Sequence, residues 1–196
     1  MPSFRESRRA GRRAGRRRWA RIGTVALAVL AGPATARAAE IVDLFPLVKN
    51  GKVRVSFTMT EAFSEEVERA IQSGLPVSFD YTVELKKVRT LWLNQKLATR
   101  SLRTTASYDN LAQRYTVSLE LDGQILGTQV LADPEAMRRF MTHFENLELF
   151  PTALLEANGE YYLRMKGVIR ERNFLMIIPW WDVGSGWKKS YFTYIP

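Results

Sequence analysis

The chain has no cysteine among its 196 residues. That excludes a disulfide framework, a lipid-modified cysteine, thiol catalysis and most structural zinc sites. Its single histidine, His143, cannot supply a histidine-rich metal centre. A serine–histidine–aspartate relay would have to use that one residue. There is no G-x-S-x-G elbow on which to build it, and Gly184-Ser185-Gly186 is too short to be one. His143 reads as a partly exposed helix residue with no obvious local carboxylate partner. A glycine-rich phosphate loop, an internal repeat and a low-complexity linker are also missing. No cofactor and no metal are expected.

The net charge of +9 at a pI near 10.0 suggests nucleic acid until its location is considered. Ten arginines, no lysine and one acid, Glu6, occupy residues 1–38 and account for the whole +9. Residues 39–196 hold 19 basic and 19 acidic groups, which leaves nothing to neutralise phosphates. The arginines precede the mostly apolar, uncharged run 22–32, shorter than the roughly 20 residues that span a bilayer. Pro33 breaks it, and Ala34-Thr35-Ala36 and Ala36-Arg37-Ala38 follow with small residues at −3 and −1. A basic start, a short apolar run and an A-x-A site describe a signal peptide over 1–38 and an exported, periplasmic mature chain. Arg16-Arg17-Arg18 loosely fits twin-arginine export. The competing reading is an uncleaved anchor, which would confine membrane contact to this segment.

The mature residues 39–196 suffice for one domain stabilised by burial. Val53, Val55, Phe57 and Met59 alternate with polar residues, as in a half-buried strand. Phe63, Val67, Ala70 and Ile71 mark one face of a helix, capped by Ser64 or Thr60 and ended by Gly74 and Pro76. PVSFDYTVELKK then sets Val77, Phe79, Tyr81, Val83 and Leu85 against Ser78, Asp80, Thr82, Glu84 and Lys86, a strand with one wet face. The pattern predicts a partner strand over 88–97, another over 101–108, and a third over 115–121. Asp122-Gly123 turns that third strand into 124–131. Asp133-Pro134 opens a second helix with Met137, Phe140, Met141 and Phe144 as its buried stripe, and Phe150-Pro151 stops the segment. A turn at Asn158-Gly159 precedes a strand over 161–170, and a last strand lies near 191–194. The sum is a single α+β domain, mainly antiparallel and sandwich-like, with seven to nine strands and two amphipathic helices.

SGLPVSFDYTVEL with Arg89 and Trp92, then Tyr108, Tyr115, Leu149-Phe150-Pro151, Gly159-Glu160-Tyr161-Tyr162-Leu163-Arg164 and the closing Trp187, form an ordered set. It resembles a bacterial exported family known as domain of unknown function number 4390, over nearly the whole mature chain. The resemblance implies an exported domain, with a sensor kinase as one partner it points toward. The tail WWDVGSGWKKSYFTYIP departs from the family's usual form, so no site is carried over.

Three groups of residues are candidates for chemistry. Asp80 and Glu84 share one strand face but lie roughly 13 Å apart at about 3.3 Å per residue, too far for paired acid–base work, and read as solvated. Lys86, Lys87, Arg89, Lys96, Arg100, Arg103 and Arg114 make the middle strands basic, as cross-strand pairs or as a face for an anionic partner. Trp92, Trp180, Trp181, Trp187 and Tyr191, with Phe192 and Tyr194, either fill the core or present an aromatic surface to protein, glycan or lipid. Adjacent Trp180 and Trp181 cannot both face inward on a strand. The residues therefore read as a non-enzymatic periplasmic interaction domain contacting another envelope or signalling protein. The alternative is a module that binds cell-wall glycan through exposed tryptophans.

Overall fold

The structure is a computed structural model that describes residues 38–89, 93–171 and 183–196. Along the chain lie β1 (Glu40–Lys49), β2 (Lys52–Thr60), α1 (Glu65–Gln72), β3 (Val77–Lys87), β4 (Gln95–Asp109), β5 (Arg114–Leu121) and β6 (Gln124–Leu131). They are followed by α2 (Pro134–Thr142), β7 (His143–Pro151), β8 (Glu160–Glu171), the two-residue β9 (Val183–Gly184) and β10 (Lys188–Thr193). Nine of these strands have six or more residues, at the upper end of the expected count. One sheet has the order β1-β2-β7; the other runs β10-β8-β3-β4-β5-β6, with β9 added on β8. Every ladder is antiparallel, which makes this an α+β fold built from two antiparallel sheets and two helices.

Alternation puts the predicted rows where burial requires them. Val53, Val55, Phe57 and Met59 of β2 face Val77, Phe79, Tyr81, Val83 and Leu85 of β3, all essentially buried in one core. Phe57 is the hinge of that packing, 5.1 Å from the Tyr81 ring and 4.6 Å from Phe144. Where β2 crosses β8, the chain carries Gly167. A Cβ there would lie 3.0 Å from Met59 Sδ and 3.3 Å from Tyr81, closer than side chains ordinarily approach, so glycine lets the two sheets meet.

The helices complete the cover. Ser64 caps α1, its hydroxyl accepting from the Val67 N–H. At the other end the Leu75 and Gly74 N–H groups donate to the Ala70 and Ile71 carbonyls, a Schellman closure with Gly74 at φ +86°. Asp133 caps α2 through the Glu135 and Ala136 N–H groups. The free Met141 carbonyl at the end of α2 accepts from the Tyr81 hydroxyl at 2.7 Å and the Thr104 hydroxyl at 3.2 Å. Burial pushes the Tyr81 phenol up from its ordinary value, which keeps the donor protonated.

Four expectations need correction. The partner of β3 is one 15-residue strand, β4, so 88–97 and 101–108 are not two strands. The second helix ends at Thr142, and Phe144 lies on β7, stacked on Phe57. His143 is accordingly a strand residue with neighbours on both ring nitrogens, Thr58 Oγ1 at 2.9 Å and the Glu145 carboxylate at 3.2 Å. Finally, β1 was not foreseen; Asn50-Gly51, with φ of +53° and +71°, joins it to β2 as a two-residue hairpin.

Candidate functional site

Period-two alternation in β8 and β10 sorts their side chains onto two faces. In β8, Tyr161, Leu163, Met165 and Ile169 enter the core, which turns Tyr162, Arg164 and Lys166 to the opposite, outer face of the large sheet. β10 pairs Tyr191 with Tyr162 and Lys189 with Arg164, so both join that face. Phe192 turns inward, 5.7 Å from the Tyr161 ring. The Tyr191 ring lies 5.2 Å from Tyr162, and Lys189 sits 5.8 Å over the same tyrosine. Tyr162 is buried beneath them, while Tyr191 stays 65 % exposed.

Trp187 stands just before β10 and is 40 % exposed. What holds it there is Ser185. Its N–H donates to the Gly167 carbonyl, and its hydroxyl accepts from the Gly167 N–H, both at 2.8 Å. That serine is occupied with structure. The Arg164 guanidinium lies 4.2 Å from the Trp187 ring centroid, and the Lys166 ammonium 5.2 Å from it. Arg164 also donates to Glu84 Oε2 at 2.7 Å, and the Lys86 ammonium lies 3.6 Å from the same oxygen. Tryptophan, arginine, glutamate and lysine thus adjoin one another, from the segment before β10 over β8 to β3.

Glu84 and Asp80 are not the solvated acids their alternation suggested. Glu84 is 8 % exposed, and the Asp80 carboxylate is held by Arg103 at 2.5 Å and Arg170 at 3.2 Å. Long arginine side chains lie over both and shield them from water. The hydrogen bond from Arg164 holds the Glu84 carboxyl below its ordinary range, against the opposing effect of burial. A carboxylate so held is a poor general acid or base at neutral pH. Four of the seven basic residues of the middle strands are paired with acids: Arg103 with Asp80, Arg100 with Asp122, Lys86 with Glu84 and Lys87 with Glu156.

Of the five residues singled out in the sequence, Trp187 and Tyr191 therefore lie on one exposed face, and neither fills the core. Trp92, Trp180 and Trp181 lie outside the described residues, as do residues 1–37 of the signal peptide expected over 1–38. Among the described residues no three histidine, aspartate or glutamate side chains converge on a metal position. No described helix is long and apolar enough to cross a membrane.

The family model for a domain of unknown function, DUF4390, matches residues 36–190. The chain belongs to that family. The DUF4390 match spans both sheets and reaches past Trp187 into β10, so Trp187 and Arg164 fall within it and Tyr191 lies one residue beyond its end. No curated protein and no solved structure matches the chain.

A second feature of this DUF4390 chain escaped sequence reasoning. A cleft of about 410 Å³ opens where the end of β7 approaches the β5–β6 turn, lined by Lys52, Arg100, Asp122, Leu126, Glu148 and Phe150 among others. Arg100 forms its floor, donating to the Leu149 carbonyl at 2.9 Å and to Asp122 at 2.6 Å. Its lining comes from five strands and one turn, far apart in the chain, so no local motif announces it.

Proposed function

We propose that this chain is an exported, non-enzymatic interaction domain that works in the periplasm and contacts another envelope or signalling protein through the Trp187–Tyr191 face. The observation that carries the reading is the pairing of exposed aromatic rings with cations on a sheet surface. Trp187 has Arg164 at 4.2 Å, and Tyr191 stands 65 % exposed beside Lys189. Exposed tryptophan and arginine together are the residue types that anchor protein interfaces, and the lysines beside them favour acidic groups on the partner. A sensor kinase is one partner of this kind.

Glycan binding is the second reading, favoured by the same exposed rings. A sugar ring stacks on an uncovered aromatic face, and Arg164 already covers one face of Trp187. Export is supported by the basic start, the apolar run 22–32 and the A-x-A sites. The first core residue among those described, Ala39, follows those sites directly. The non-enzymatic reading draws support from the engagement of Asp80, Glu84 and Ser185 in structural bonds.

The decisive experiment places a photoreactive residue at 187 in living cells. A single protein adduct, abolished by Tyr191→Ala and Lys166→Ala together, is the expected outcome. Label found only on cell-wall glycan would replace the reading with its alternative. Mass spectrometry of the purified protein should give an N-terminus near Ala39; an intact Met1 on a membrane-embedded chain would contradict export with cleavage.

A further inference from the structure

We propose that β6 is the seam of a homodimer, pairing antiparallel with β6 of a second copy to join the two large sheets. An edge strand displays unpaired N–H and C=O groups and invites another strand unless something blocks it. Of the four described edge strands with six or more residues, three are blocked. β10 carries Lys188 and Lys189 within its six residues. β1 is broken at Asp43, with φ +52° and a register shift between Val42 and Phe45, and carries Pro46. β7 has two register shifts against β2, a left-handed Asn146 at φ +51°, and the charges of Glu145 and Glu148.

β6 is different. Its sequence, QILGTQVL, has no charge and no proline. Its single register shift against β5 lies next to the turn, and Gly127 to Leu131 pair regularly with Leu119 to Tyr115. Ile125, Leu126 and Val130 are 67 %, 54 % and 59 % exposed. Ile125 and Val130 stand opposite Glu120 and Thr116 of β5, so both belong to the outer row of the sheet. Apolar side chains beside open backbone groups form a surface for strand addition.

The occupant follows from charge. A strand that adds to β6 without carrying a charge into its apolar row must itself be uncharged. Among the described edge strands of six or more residues, β6 alone qualifies. Paired with itself across a two-fold axis, it runs antiparallel, makes every contact twice and opposes no like charges. The balance of 19 basic and 19 acidic groups over 39–196 removes long-range repulsion between copies.

Light scattering on the purified chain tests this first. The mass of two chains is expected, falling to that of one in Val130→Lys, with a dissociation constant raised at least about tenfold by the two charges brought into the seam. Val130 is exposed, so the melting of the monomer should be unchanged. The absence of native cysteine allows a second measurement. Single cysteines at positions 125–130 should yield a disulfide-linked dimer at the residue nearest the axis, whereas Tyr191→Cys should not. A wild-type chain that stays single from about 1 to 100 μM, or a dimer indifferent to Val130→Lys, would overturn the proposal. So would disulfides that form at 191 and not along β6, or cysteines on β6 that capture only a different protein.

Discussion

The two faces of β3 differ by one residue in phase and by everything in physics. On the inner face Val77, Phe79, Tyr81, Val83 and Leu85 are fully buried, and their stabilisation is apolar burial plus one hydroxyl. On the outer face Asp80 and Glu84 are nearly as covered, but by arginines and a lysine. Apolar burial is indifferent to pH and costly to truncate. Ion pairs contribute less net energy and respond to protons. The same eleven residues therefore serve as a stability core on one side and as a tunable, aromatic-flanked surface on the other.

That contrast can be broken most forcefully at Phe79. Phe79→Ala removes a fully buried ring and should cost about 3–5 kcal/mol of unfolding free energy, measured by urea denaturation. A loss under about 1 kcal/mol would mean the inner face is not the core. Glu84→Gln should cost less, roughly 2 kcal/mol, because Arg164 and Lys86 lose a shared, covered anion. Its signature is the pH dependence. The folded carboxyl titrates below its ordinary 4.5, so its contribution is complete above that value and disappears as pH falls through the lowered one. Melting curves of wild type and variant should converge in acid; a constant gap would remove Glu84 from the outer-face account.

Smaller still is Tyr81→Phe. The Met141 carbonyl keeps its bond from Thr104, so the cost should be near 1 kcal/mol, read from the same titration. Trp187→Ala should shift stability by less than about 0.5 kcal/mol while abolishing capture of the partner by a photoreactive residue at 191, since its ring is outside the core. A larger destabilisation would make Trp187 a structural residue and weaken its place in the interaction face.

How far the sequence reached depends on which residues are asked. PVSFDYTVEL and Tyr115 to Leu121 have unbroken alternation, and their strands were legible in full. Asp133-Pro134 announced α2, since cap and first-turn proline are local chemistry. Its end was not legible. Phe144 fits the helical spacing after Met137 and Met141, yet stacking on Phe57 of a distant strand draws it into β7. β1 was missed although Asn50-Gly51 was a hairpin signal, because Asp43 and Pro46 interrupt its alternation. Within the candidate face, the aromatics at 187 and 191 were visible as residue types, but the Arg164 stack and the covered Glu84 were not.

The sequence by itself determined the distribution of charge, the absence of thiol chemistry, the phase of each alternating strand and the family. These are properties of composition and near neighbours, and they survive any arrangement of the elements. Only the tertiary structure decided that Glu84, Arg164 and Trp187 adjoin one another, that Asp80 is shielded from water, and that β6 is the edge left open. Each of these depends on which strand lies beside which, and strand neighbours in antiparallel sheets are chosen by packing over separations of up to a hundred residues.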